Sequence, residues 1–164
     1  MENSFKMKID DLNWRILSSL QRNSRESFSS IGRKIGLTSP AVAERVKKME
    51  DTGILEGYVA KVSHSKLGYQ LKAMITMKAF MGKLKPFLEK VKTLDEVVNC
   101  YRITGNENII MEVVLRDQFH MEKFIDMLIQ YGETRTNIIL SDVISHAPIK
   151  KSKIPEKQEK VANP

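Results

Sequence analysis

Cationic and hydroxyl side chains gather between residues 29 and 48, in a stretch that predicts two short helices meeting at a glycine. Arginine and lysine bind base edges and phosphates, and hydroxyls bond the phosphate backbone. We expect Arg45 to make the main base or phosphate contact and Lys47 and Lys48 to bind phosphates. The candidate DNA-contacting residues are Ser29, Ser30, Thr38, Ser39, Pro40, Ala41, Glu44, Arg45, Lys47 and Lys48.

Three predicted helices would position these side chains. The first begins at Asp10, and the second closes at Gly36, a residue that readily takes the left-handed conformation. The third has Ser39 as its N-cap and Pro40 at its first helical position, and it runs to Gly53. This order matches a helix-turn-helix, whose second helix enters the major groove of DNA. A plain three-helix domain with a basic, solvated face is the alternative interpretation.

The distribution of charge favours DNA over a membrane as the partner. The chain of 164 residues has a net charge of +7, of which +4 lies in residues 1–66, none in residues 67–146 and +3 in residues 147–164. No stretch approaches the roughly 18 apolar residues of a membrane span, and the first residues do not resemble a secretory signal. The single cysteine excludes an intrachain disulfide, and the three histidines lack zinc-ligand spacing, so we expect no metal and no cofactor.

The middle of the chain predicts a ferredoxin-like domain, an antiparallel sheet with both helices on one face. Apolar periodicity gives the order β-α-β-β-α-β. The predicted elements are strand 71–80, helix 83–94, strand 97–104, turn 105–108, strand 109–116, helix 117–130 and strand 136–145. In the second helix, Phe119, Phe124 and Leu128 are expected to face the core.

The fold class predicted for the whole chain is α+β, with an N-terminal winged helix-turn-helix domain and a C-terminal ferredoxin-like domain. Residues 1–53 would form the first domain and residues 67–147 the second. Residues 54–66 would be a short β-ribbon or an extended hinge between them. Residues 148–164, rich in lysine and containing two further prolines after Pro148, predict a basic, disordered tail.

Residues 8–146 resemble the Lrp/AsnC, or feast-famine, family of transcription regulators. The most specific run is LTSPAVAERVKKMEDTGIL, and CYRITGNENIIMEV and TRTNIILSDV follow in the second domain. The resemblance implies a DNA-binding domain hinged to a domain that oligomerises and senses a small molecule, commonly an amino acid. It also implies homodimers, in many members a ring of four dimers, and a cytoplasmic, nucleoid-associated location.

The same resemblance points to an effector site at the turn between the second and third strands, at the contact between dimers. The usual family pattern is Gly-Asp with a second Asp two residues later, whereas residues 105–108 read Gly-Asn-Glu-Asn. Asparagine can form hydrogen bonds, but it does not carry the negative charge that would suit an ammonium group. The candidate effector-binding residues are Tyr101, Gly105, Asn106, Asn108, Thr134 and Thr136.

Three functions can be compared on the sequence alone. The favoured one is a sequence-specific transcription regulator. An architectural, nucleoid-type DNA-binding protein with little sequence preference is the alternative. An enzyme is not expected, because residues 67–146 offer no recognisable acid–base pair or activated nucleophile.

Overall fold

The computed structural model describes residues 9–151. The chain divides into two compact units, of which the first contains residues 9–60 and 144–151 of the described part. The second unit is continuous, from Lys61 to Val143.

The first unit is built on three short helices. Their bounds are α1 Asp11–Arg22, α2 Phe28–Ile35 and α3 Ser39–Asp51. Ile16, Ile31, Val42 and Met49 are fully buried where the three helices meet. The apolar positions recur at steps of three and four, so each helix turns one stripe inward and leaves its other faces to solvent.

Each helix begins at a side-chain cap. Asp10 accepts the N–H of Asn13, as expected for the start of α1. The predicted cap of α3 is wrong by one residue: Thr38, not Ser39, accepts an N–H, from Ala41. Two adjacent hydroxyl residues offer the same cap chemistry, so sequence alone could not choose between them.

Of the two interpretations for the connector, the extended one is observed. Within the described residues no strand lies between α3 and Leu71, so the predicted ribbon and its wing are absent. A ribbon needs a partner strand, and residues 54–64 have none among residues 9–151. The Tyr58 hydroxyl donates to Glu50 at 2.8 Å and ties the start of the connector to α3. The pKa of Tyr58 is raised to about 12, mainly by burial and then by the neighbouring Glu50 carboxylate.

The second unit has the predicted β-α-β-β-α-β order. The bounds are β1 Leu71–Ala79, α4 Leu84–Lys90, β2 Val97–Arg102, β3 Ile109–Leu115, α5 Gln118–Leu128 and β4 Gly132–Ile138. The strands pair antiparallel in the order β2-β3-β1-β4. Phe87 of α4 and Phe124 and Leu128 of α5 pack with Ile75 and Met111 in one core, so both helices cover the same face of the sheet.

Two predictions for this unit are wrong. Phe119 is 63% exposed, because α5 packs against the sheet through the apolar stripe that contains Phe124 and Leu128. The last strand covers Gly132–Ile138, not residues 136–145. It pairs with β1 as far as Ala73 opposite Ile138, and no strand partner follows. The later apolar residues mimic a strand, yet Leu140 and Val143 are more than nine-tenths exposed.

The end of the described chain returns to the first unit. Residues 148–151 have no regular secondary structure, but they contact α1 through Gln21 and Asp11. The rest of the predicted tail, residues 152–164, lies outside the described residues.

Candidate nucleic-acid interface and effector turn

The turn between α2 and α3 depends on two glycines with different roles. Gly36 closes α2 with φ 76°, in the left-handed region where a side chain is strained. Gly32 lies one turn earlier, inside the helix, where a Cβ would stand 2.4 Å from the Leu37 carbonyl oxygen. The backbone of the turn therefore packs directly on the helix, and this close approach sets the angle at which α3 leaves.

The solvent side of α3 carries the predicted contact residues. Val42, Val46 and Met49 are buried, whereas Glu44, Lys47 and Lys48 are exposed. Neither lysine forms an ion pair within residues 9–151. At the start of the helix, Thr38, Ser39 and Pro40 are exposed and Ala41 is half-buried. A helix N-terminus and two cations are thus presented on adjoining surfaces, the combination that binds a phosphate backbone.

Arg45 does not extend freely into solvent. Its Nη1 donates to Asp10 Oδ2 at 2.7 Å and to Asn13 Oδ1 at 2.9 Å, and so joins α3 to the start of α1. Asn13 is 1% exposed, so this donor satisfies a buried oxygen. The pKa of the Asp10 carboxyl lies below its ordinary 3.8, first because of the Asn13 N–H and then because of Arg45. The stabilisation from the Asp10 carboxylate is therefore complete at a pH above its ordinary pKa, and it disappears as the pH falls through the lowered pKa.

We therefore expect the replacement of Arg45 to act first on the stability of the protein, and on its DNA affinity only as a further effect. Arg45→Ala leaves the buried Asn13 oxygen without its donor, which costs about 1–3 kcal/mol. The exposed pair with Asp10 adds about 0–1 kcal/mol. Thermal unfolding checks this, with Arg15→Ala as the control, since Arg15 donates to a backbone oxygen on the surface. An unchanged melting temperature with lost DNA binding would show that Arg45 acts as a base contact, as first expected.

The two candidate serines differ in their surroundings. Ser29 is exposed on α2. Ser30 is half-buried, and its hydroxyl donates to Glu26 at 2.8 Å while Glu26 also pairs with Lys34. Ser29 is thus the serine of this pair that stands free to bond a phosphate, and Ser30 acts inside the domain.

The effector turn is held mainly through Asn108. Its N–H donates to the Met77 carbonyl at 3.0 Å, and its side-chain oxygen accepts the Ala79 N–H at 3.0 Å. Its carbonyl accepts the Ile103 N–H and closes the turn. Gly105 has φ 126°, a conformation that side chains rarely adopt. Asn108 therefore anchors the turn to the end of β1, a structural role in addition to the predicted binding role.

Only part of the predicted effector site comes together within one chain. The turn meets the middle of β4, where Glu107 pairs with Arg135 at 3.5 Å. Thr134 and Thr136 lie opposite Met77 and Ile75, hence on the helix-covered face. Tyr101, on the edge strand β2, lies opposite Ile110 and on the other face. Tyr101 and the two threonines are thus separated by two strands and by the sheet itself.

The described residues offer little for other kinds of site. Within residues 9–151, no helix is long and apolar enough to cross a membrane. The same residues contain no group of three histidine, cysteine, aspartate or glutamate side chains that could hold a metal ion. Cys100 is half-buried, and burial raises the pKa of its thiol, which disfavours the reactive thiolate.

Comparison with known proteins decides the family. The profile of the AsnC-type helix-turn-helix domain matches residues 9–50, and that of the Lrp/AsnC ligand binding domain matches residues 72–149. The uncharacterized HTH-type transcriptional regulator YezC of Bacillus subtilis is 35% identical over 138 residues, which are 84% of this chain and 98% of YezC. The chain belongs to the Lrp/AsnC family of transcription regulators.

Solved structures of Lrp/AsnC proteins share the fold. LrpC of Bacillus subtilis superposes with a TM-score of 0.81 at 30% identity, covering 85% of this chain and 99% of LrpC. The regulator NMB0573 of Neisseria meningitidis, solved as a complex with L-Met, gives 0.82 at 22% identity, covering 87% of this chain and 96% of that one. These Lrp/AsnC relatives are regulators rather than enzymes.

Several residues that shape this Lrp/AsnC site were missed in the sequence. Gly32 was detectable, because a glycine in the middle of a short amphipathic helix is costly unless something packs against it. Asn13 was detectable only in part, as an amide on the apolar side of α1. Nothing in the sequence indicated that Glu107 and Arg135 would pair across the end of β1.

Proposed function

We propose that this protein is a sequence-specific transcription regulator that reads DNA with the N-terminal part and the outer face of α3. The observation that carries this is the exposed pair Lys47 and Lys48 on α3, about two turns beyond a helix start fixed by the Gly32 contact. Lysines bind the backbone, and the exposed side chains at Ser39 and Pro40 approach the bases. A DNA partner places the protein in the cytoplasm, at the nucleoid.

Footprinting tests the proposal against the architectural alternative. A dimer that reads sequence protects discrete half-sites about one helical turn, or a multiple of it, apart. An architectural protein covers the fragment without preference as the protein concentration rises. The measurement uses the full chain on genomic fragments and on a shuffled sequence of equal length. Equal protection of both would refute sequence-specific regulation.

We infer that the protein forms a homodimer through the face of the sheet that no helix covers. Met74 lies there beside Thr76, which is opposite Ile110, and Tyr101 on the same face is 58% exposed. The Thr76 hydroxyl is buried and has no partner among the described residues. A second copy would cover the apolar side chains. Sedimentation velocity distinguishes a dimer from a ring of four dimers, and Ile110→Asp should shift either towards monomer.

We propose that the turn at residues 105–108 binds a small molecule with an amino-acid head group. The support is the family's ligand binding domain and the L-Met complex of a structural neighbour. A second chain must complete the site if Tyr101 and Thr134 both take part, because one chain keeps them apart. Screening the twenty amino acids by thermal shift tests this, since a ligand of the native state raises its stability.

Restoring the two family aspartates should strengthen amino-acid binding. In Asn106→Asp/Asn108→Asp the new carboxylate at 108 still accepts the Ala79 N–H, so the turn should hold. A charge-assisted bond to an ammonium contributes about 1.5–3 kcal/mol, or roughly tenfold or more in affinity. Titration calorimetry with the amino acid selected by the screen measures it. Asn23→Asp, which adds a charge at an exposed position of the first unit and can still accept the Arg25 N–H, is the control and should change nothing.

A further inference from the structure

One surface of α1 is occupied by the chain's own C-terminal segment. Asp11, Trp14, Ser18 and Gln21 follow one another at steps of three, four and three residues, so they lie on one face of the helix. Gln21 and Asp11, at the two ends of this face, both contact residues 149–151. The partners are 128 and 140 residues apart in the chain, so docking joins two distant parts of the sequence within the first unit.

Gln21 recognises backbone rather than a side chain. Its Oε1 accepts the Ile149 N–H at 2.7 Å, and its Nε2 donates to the Ile149 carbonyl at 3.1 Å. Both main-chain groups of one residue are thus bound by one amide, as in pairing with a strand. The side chain of Ile149 remains 75% exposed, so its burial contributes little to the contact.

Two further features direct the segment to this place. His146 has φ 53°, the only positive φ of a non-glycine residue among those described, and it turns the chain just before Pro148. Lys151 pairs with Asp11 near the opposite end of the face. Both members of this pair are more than half exposed, so salt should weaken it.

We propose that residues 146–151 act as a C-terminal latch, which docks on α1 and restrains the DNA-binding unit. The chain passes between the units at residues 60–61 and again at residues 143–144. When the latch is docked, both connections between the units are anchored on the first unit. The DNA-binding unit then has less conformational freedom to lose when it binds paired half-sites. Effective concentration, and with it affinity for two half-sites, should rise. The effect on DNA rests on the proposed regulatory function.

The docking itself is tested without DNA. Hydrogen exchange of the peptide containing Ile149 is measured in the full chain and in Gln21→Ala. The variant should exchange severalfold faster, because it loses both bonds to Ile149. Gln130→Ala is the matched control, since that amide bonds only within its own helix end, and it should exchange like the parent. Equal rates in the parent and Gln21→Ala would overturn the docking.

Crosslinking shows whether the segment docks on its own chain. Cysteines are placed at Asp11 and Lys151, which lie in contact and leave both Gln21 bonds in place, in a Cys100→Ser background that removes the natural thiol. A short thiol crosslinker should give a product with the mobility of a single chain. A product of two chains would overturn the assignment to the same chain, and no product would overturn the docking.

The effect on DNA is measured on duplexes with one and with two half-sites. Gln21→Ala, and a chain ending after Ala147, should bind the two-site duplex severalfold more weakly and the one-site duplex almost as the parent does. Equal weakening on both duplexes, or none, would overturn the restraint. If the parent binds no DNA, the proposed function fails, whereas the exchange and crosslinking results still decide the docking.

Discussion

Gly32→Ala should unfold the helix-turn-helix at a much lower temperature and remove DNA binding with it. In an ordinary helix this change stabilises by about 0.5–1 kcal/mol. Here the new Cβ would stand 2.4 Å from the Leu37 oxygen, and backbone cannot move aside as a flexible side chain can. Overpacking of this kind costs about 1–3 kcal/mol or more, which lowers the melting temperature of so small a domain by on the order of 10 °C. Whether Gly32→Ala raises or lowers the melting temperature therefore tests the packing of the turn on α2.

Gly36→Ala is the matched control for Gly32→Ala. Gly36 has open space around its Cα, and only its φ of 76° opposes a side chain. Left-handed strain costs about 1–2 kcal/mol. Differential scanning calorimetry of both variants, with circular dichroism for helix content, separates contact from strain. A Gly32→Ala protein as stable as the parent would show that the turn and α2 do not pack as described.

Lys47→Ala/Lys48→Ala should weaken binding to every DNA sequence, specific or not. Both side chains are exposed on α3 and support no other part of the fold, so stability should be unchanged. Each lost phosphate contact lowers the slope of log K against log salt by about 0.9, so the slope should fall by about 2. At low salt the affinity loss should be on the order of tenfold to a hundredfold.

The control for the lysine pair removes two equally exposed charges elsewhere. Lys85→Ala/Lys90→Ala lies on α4 of the second unit and has the same effect on net charge. Gel-shift or anisotropy titrations at several salt concentrations compare the two variants. Equal slopes would show that charge as such, rather than the α3 surface, attracts the DNA.

The sequence predicted elements well where local chemistry decides. The cap at Asp10 and the closure of α2 at Gly36 follow from one turn of chain each. The choice between Thr38 and Ser39 failed because both are good caps. Strand β4 was misplaced because strand limits depend on pairing with a partner, and the pairing with β1 ends at Ala73 opposite Ile138 although apolar residues continue in the sequence.

The candidate site was predicted less completely, because contacts between distant residues have no local signal. Arg45 looked like a free cation on a basic helix, and only the folded chain shows Asn13 beneath it. Tyr101 and Thr134 looked like neighbours through the family pattern, and strand order keeps them apart within one chain. Gln21 resembled any polar residue at the end of a helix.

The way in which the effector turn is anchored bears on how its specificity can diverge. Asn108 holds the turn through two main-chain groups and one oxygen that aspartate also possesses. Asn106 is exposed and makes no hydrogen bond within residues 9–151. In the genetic code a single base change converts either asparagine codon into an aspartate codon. Descendants of one gene can therefore add one or two carboxylates beside Glu107, and under the proposed function explore new metabolites, without first losing the fold.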